Sequence, residues 1–221
     1  MALSTAAGDA RVILWTLGAI GQFLFLIHLF RRWIAEPYAP EELNPTWFLP
    51  SAGALTAPMT APLDDGLIES TAWCLFGVGF VFWVVMLTII VRRLIADAPM
   101  PAALRPSLFI LFAPAGLAAN AWFNLAPESG DVFPVAVSHF GLFMVIALVA
   151  SMRFVSEAGV TLGWWSTTFP TATLAAAFLR LGEGGRPVEG LIGAGLLALA
   201  TLFAAAALII TLRVAWRAAR A

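Results

Sequence analysis

The sequence predicts an all-α polytopic membrane protein: seven transmembrane helices in hairpins, with kinked proline helices inside and plain helices outside. Three observations lead there. Apolar residues make up 61 % of the 221 and charged residues 11 %, against roughly 25 % charged in an average globular domain. A chain so poor in charge, with a mean hydropathy of +0.92, cannot cover its surface in water, so its solvent is lipid. Seven segments free of Asp, Glu, Lys and Arg approach or exceed the ~20 residues a helix needs to cross a hydrocarbon core of about 30 Å. Three of them carry an internal proline, and these alternate with plain ones. The composition sets aside a cytosolic enzyme, a disordered chain and a secreted disulfide scaffold. The net charge is −1 and no basic cluster exceeds Arg31-Arg32 or Arg92-Arg93, so nucleic acid is not a partner. All 12 basic residues are Arg, which leaves no lysine amine for a Schiff base. The single Cys74 allows no internal disulfide.

The spans follow in order. Val12–Phe30 opens the chain, and Met1–Ala10 lacks the basic n-region of a signal peptide, so this span is retained. Leu43–Leu63 carries Phe48-Leu49-Pro50-Ser51-Ala52-Gly53 with Thr46, Thr56 and Thr60. Ser70–Val91 is plain. Pro106–Pro127 carries Phe112-Ala113-Pro114-Ala115-Gly116, then Asn120 and Asn124. Val132–Met152 is plain. Ala158–Leu179 carries Phe169-Pro170-Thr171-Ala172 among Thr161, Ser166, Thr167, Thr168 and Thr173. Gly190–Leu212 closes the set, and residues 1–221 read as one integral membrane domain. The three prolines stand 64 and 56 residues apart, the length of a helical hairpin. Each removes one helical hydrogen bond and frees the carbonyl four residues earlier, at Thr46, Ile110 and Ser166. In lipid such a carbonyl needs a partner, which places these helices inside the bundle or along an aqueous path.

Charge sets the orientation. With the N-terminus outside, the cytoplasmic segments hold Arg31, Arg32, Arg92, Arg93, Arg105, Arg153, Arg213, Arg217 and Arg220, and the outer ones only Arg11, Arg180 and Arg186. That is a positive-inside bias, with acidic outer turns at Asp64, Asp65, Glu69, Glu128 and Asp131. Trp33, Trp47, Trp73, Trp122 and Trp216 fall near span ends, where amphipathic rings settle. The expected location is the plasma (inner) membrane, N-terminus out and C-terminus in.

Catalytic and metal-binding patterns are missing. His28 and His139 lie on different spans without an acidic partner, and read as hydrogen-bonded packing residues. No H-E-x-x-H, G-x-S-x-G or P-loop occurs; Leu181-Gly182-Glu183-Gly184-Gly185 is a turn. An enzyme is disfavoured, and no cofactor or metal is expected. Carriers driven by protons place Asp or Glu inside spans, and none is present. A hydroxyl-lined, uncharged path suits passive conduction, and half-helices starting at prolines present positive dipole ends to anions. Candidate lining residues are Thr46, Pro50, Ser51, Gly53, Pro114, Gly116, Trp165, Ser166, Pro170 and Thr173. On the sixth span Phe169 neighbours Ser166, Ala172, Thr173 and Ala176, and beyond Trp165 is the only bulky group on that stripe.

Trp164-Trp165-Ser166-Thr167-Thr168-Phe169-Pro170-Thr171 resembles the ninth-helix motif of plant guard-cell slow anion channels. Asn44-Pro45-Thr46-Trp47-Phe48-Leu49-Pro50 is similar to the segment opening their fifth helix. Leu104-Arg105-Pro106 followed by Ala113-Pro114-Ala115 resembles their seventh. The wider group is the tellurite-resistance/dicarboxylate transporter family, which includes bacterial TehA and yeast malic-acid transporters. The resemblance implies ten helices in five hairpins with odd-numbered helices around a pore. This chain would match the fourth to tenth, and so be N-terminally truncated relative to that fold. It implies a gated anion channel, with a C4-dicarboxylate (malate) carrier or tellurite-resistance exporter as the alternative. A further alternative is a truncated, non-conducting fragment or subunit. It also implies a homotrimer in a lipid bilayer, small anions or dicarboxylates as permeants, and Phe169 as the pore gate. Phe109, on the fourth span, is the contrasting phenylalanine.

Overall fold

The computed structural model describes residues 2–63 and 65–218, with side chains for 8–63 and 65–216. Asp64, Arg220 and the Arg217 side chain, which entered the charge distribution, lie outside the described residues. Eight α-helices follow in order: α1 (Ala2–Ala35), α2 (Leu49–Met59), α3 (Gly66–Ala96), α4 (Ala113–Leu125), α5 (Val132–Ala150), the short α6 (Met152–Ser156), α7 (Thr168–Glu183) and α8 (Pro187–Ala218). The described residues contain no strand. The protein is an all-α polytopic membrane protein.

Five helices are long and apolar enough to cross a membrane by length and composition: Gly8–Ala35, Gly66–Ala96, Ala102–Leu125, Val132–Ala150 and Pro187–Trp216. The segments expected as the second and sixth spans are broken rods. A 3₁₀ stretch Pro45–Phe48 runs into α2, and another, Leu162–Thr167, runs into α7. The fourth segment has the same design, with 3₁₀ residues Ala102–Phe112 ahead of α4. A 3₁₀ residue rises ~2.0 Å against ~1.5 Å in an α-helix, so these stretches lengthen the rods. Even so, the four 3₁₀ and eleven α residues of the first rod reach only about 25 Å.

The expectation of kinks inside continuous α-helices is corrected here. Pro50 and Pro114 stand in the first turn of α2 and α4, and Pro170 two residues after the start of α7. A missing N–H costs little there, because the first-turn amides have no partner inside the helix. The carbonyls that proline frees at Thr46 and Ile110 accept the 3₁₀ bonds from the Leu49 and Ala113 amides. Proline therefore marks a change of winding. One proline, Pro58, does lie within α2 near its end.

α4 packs between α2 and α7, and it is the most buried of the long rods. α1 and α3 pack on α2, α5 on α4 and α7, and α8 along α7. Between helices in lipid the hydrophobic effect supplies little, and close approach of small residues replaces it. The α7–α8 hairpin shows this, since a Cβ on Gly182 would stand 2.5 Å from the Gly190 Cα, and one on Gly193 2.7 Å from the Leu179 nitrogen. Phe48, Phe109, Phe112 and Phe178 are fully buried. Trp73 and Trp122 do not join an outward belt; they pack with Phe76 and Phe133 where α3, α4 and α5 meet. Trp33 stacks on Trp47 at 5.6 Å.

Candidate permeation path

The first and third broken rods begin at side-chain caps, and the second follows Pro101 without one. Asn44 Oδ1 accepts from the Thr46 amide at 3.0 Å and the Thr46 hydroxyl at 2.7 Å, starting the first. Thr161 accepts from the Gly163 amide at 3.2 Å, starting the third. From there the hydroxyls behave alike: Ser51 donates to Phe48 O (2.8 Å), Thr56 to Ala52 O (2.9 Å), Ser166 to Gly163 O (2.6 Å), Thr167 to Trp164 O (2.8 Å), Thr168 to Trp165 O (2.8 Å), Thr171 to Thr167 O (2.7 Å) and Thr173 to Pro170 O (3.0 Å). Each spends its one proton on a carbonyl of its own rod. These hydroxyls brace their own rods, four of them (Ser51, Ser166, Thr167 and Thr168) at or beside the change of winding.

The two asparagines of α4 also serve the backbone. Asn120 Nδ2 donates to Gly116 O at 2.8 Å and across to Thr173 O on α7 at 2.9 Å. Asn124 Nδ2 closes the end of α2 by donating to Pro58 O at 2.9 Å and Ala61 O at 3.2 Å. α1 and α3 add polar contacts of the same kind. Trp15 Nε1 reaches Ala57 O at 2.8 Å, Gln22 Nε2 reaches Pro50 O at 2.9 Å, and Trp83 Nε1 reaches Leu111 O at 3.1 Å. His139 bonds Val135 O at 2.8 Å and sets its ring against Phe178, as expected of a packing histidine.

The structure distributes the candidate residues unevenly. Pro114, Gly116, Pro170, Ser51 and Thr173 are buried. Gly116 is the contact point of α4 with α7, and Gly53 is the notch that receives the Gln22 amide from α1. Trp165 is exposed, and its indole N–H is held by Thr211 on α8 at 2.9 Å. Ser166 is half-buried. Thr46 and Pro50 line an open cavity of ≈ 400 Å³ with Arg32, Trp33, Leu49 and Trp47. Phe169 is 48 % exposed. Its ring heads an open stripe of α7 that continues through Ala172, Ala176 and Arg180, while the residues between them face α4, α5 and α8. Phe109 has no exposed surface at all and packs on Phe112 and Phe203. Among the described residues no group of His, Cys, Asp and Glu could hold a metal ion.

Ion pairs lie at the ends of the bundle. Arg105 pairs with Glu157, bonds Phe154 O at 3.1 Å and stacks on the Phe154 ring at 3.8 Å. Arg186 pairs with Asp131 and reaches Glu189 at 3.4 Å, which ties the start of α5 to the start of α8. The hydrogen bond from Arg186 holds the Asp131 carboxyl below its ordinary range.

The sequence profile of the family described as voltage-dependent anion channel matches residues 2–219. The chain is 28 % identical over 188 residues to an uncharacterised transporter of Methanocaldococcus jannaschii, covering 75 % of this chain and 53 % of that one. It is 23 % identical to a tellurite resistance protein TehA homolog of Haemophilus influenzae, covering 75 % and 50 %. With the guard cell S-type anion channel SLAC1 of Arabidopsis thaliana it shares 28 % identity, covering 74 % and 30 %. The chain thus spans about half the length of the first two relatives. With the broken rods in place, the profile match over nearly every residue assigns the ancestry: the chain belongs to the voltage-dependent anion channel family.

Proposed function

We propose that this chain forms part of a gated anion channel, with small anions moving passively along the open face of α7 and Phe169 closing the way. The observation that carries this reading is the exposed phenyl ring at the head of a stripe of alanines, next to the proline where α7 begins. A bulky apolar ring on a narrow path obstructs it by volume and by dewetting. The hydroxyls support conduction over tight binding, because their protons are committed to backbone carbonyls and are not offered to an anion. Spans without internal carboxylates favour a channel over a proton-coupled carrier of C4-dicarboxylates such as malate, and over a tellurite exporter. The arginine distribution favours the plasma membrane with the N-terminus out. A homotrimer, by likeness to the family, completes the proposal.

The test is anion flux from liposomes holding the purified chain. Flux that rises linearly with driving force supports a channel. Saturable flux coupled to protons supports a carrier. No flux from folded protein overturns this reading in favour of a non-conducting fragment or subunit.

A further inference from the structure

Arg180 ends the stripe that Phe169 begins. Eleven residues of α-helix separate them, about 16 Å along the axis, and both are exposed on the same side as Ala172 and Ala176. The side chain is braced: Nη1 donates to the Asn120 carbonyl at 3.3 Å, and the guanidinium lies 4.8 Å from the centre of the Phe123 ring. Both contacts are on α4, and both fix the position of the charge without neutralising it. A carbonyl and a ring face leave most of the five guanidinium protons free, and among the described residues no carboxylate lies within 4.0 Å of it. At the same end Arg186 is paired twice, with Asp131 and Glu189, while Arg11 bonds the Thr60 carbonyl just past the end of α2.

The Glu183 carboxylate, one turn on along α7, attracts this charge without pairing with it. An arginine near a helix end ordinarily snorkels to the interface, whereas Arg180 is held by α4 at the end of the open stripe. We infer that Arg180 is the charge-selecting residue at one mouth of the path, the mouth that the arginine distribution puts outside the cytoplasm. Its field raises the local concentration of small anions and excludes cations before they reach Phe169. The Asn120 carbonyl and the Phe123 ring are its positioning partners. This inference rests on the transport reading given above.

The test uses the Phe169→Ala variant in planar bilayers under a KCl gradient, so that the obstruction is gone and charge selection is read alone. Replacing Arg180 by Gln lowers anion conductance at low salt by about threefold to tenfold and moves the reversal potential toward that of potassium. The difference shrinks at high salt, where the Debye length falls from ~10 Å at 0.1 M to ~3 Å at 1 M. Arg180→Lys keeps the selectivity. As a check independent of folding, Arg180→Cys in a Cys74→Ser background is treated in the bilayer with charged thiol reagents. A cationic adduct restores anion current, and an anionic one suppresses it further. If Phe169→Ala carries no anion current, the transport reading fails and this inference with it. If it conducts but neither Gln nor either adduct changes selectivity, Arg180 is a packing residue and only this inference is overturned.

Discussion

A Cβ placed on Gly116 would stand 2.6 Å from the backbone nitrogen of Leu174, closer than real Cβ contacts come. α4 and α7 thus meet backbone to backbone at this point, and the contact is braced one turn later by Asn120 and the Thr173 carbonyl. Gly116→Ala has to push two main chains apart. Overpacking of this kind costs about 1–3 kcal/mol, and Gly116→Leu abolishes folding. Unfolding in mixed micelles measures the first, and loss of a monodisperse detergent-solubilised protein the second.

Asn120→Ala removes both donors from the Gly116 and Thr173 carbonyls. The expected cost is about 1–2 kcal/mol, since interhelical hydrogen bonds in membranes average well under 2 kcal/mol each. The same substitution at Asn124, which closes α2, has a similar cost. The two residues stand one turn apart on α4, close enough to couple, so the double variant measures that coupling as its departure from the sum.

Phe169→Ala raises anion conductance while leaving stability near that of the parent, because the ring is half-exposed. Phe143→Ala, on the exposed face of α5, leaves conductance unchanged. Phe109 cannot serve as the control that its sequence position suggests. It is fully buried, and Phe109→Ala is expected to destabilise by about 3–5 kcal/mol. Single-channel recording at matched protein amounts, beside thermal unfolding, separates the three.

The Asp131–Arg186 pair responds to acid. Arg186 lowers the Asp131 carboxyl from its ordinary range, so the pair's stabilisation is complete above the ordinary carboxylate pKa. It disappears as pH falls through the depressed value. Thermal stability in detergent therefore drops toward strongly acid pH, and Asp131→Asn removes this component of the drop. An unchanged pH profile in that variant shows the pair to be energetically idle.

Orientation is testable with thiols in a Cys74→Ser background. Ser129 and Ala98 are both exposed, at opposite ends of the bundle by the expected topology. Ser129→Cys is expected to react with an impermeant reagent from outside and Ala98→Cys to be protected. The reverse pattern inverts the arrangement.

The sequence made the rods legible, but not the hydrogen bonds that shape them. Prolines 50, 114 and 170 recur at hairpin spacing, which marks the special helices. The switch from 3₁₀ to α winding is not written in that spacing, because it depends on hydroxyls such as Thr167 and Ser166 turning back on carbonyls three residues earlier. Those hydroxyls and the two asparagines read as path-lining polarity, since a sequence shows which groups are polar but not where their protons go. Trp122 was legible as an interfacial ring by its place near a span end, yet it packs inward with Phe133 at 4.6 Å. Phe169 stands out in the sequence as a bulky group among small ones, and its exposure agrees with that contrast. Arg180 gave only a topological signal. The helical spacing 169, 172, 176, 180 was available to find it, but the lack of a carboxylate partner required the fold.

The stretch Leu162–Thr167 also has a mechanical consequence. It contains 6 residues wound at about three per turn rather than 3.6. Rewinding it as α-helix would shorten it by about 3 Å and rotate everything beyond it by about 120°. Phe169 lies immediately beyond it, so the segment is a screw thread. A small change of pitch, opposed by three hydroxyl bonds and by the Trp165–Thr211 link, becomes a third of a revolution at the ring.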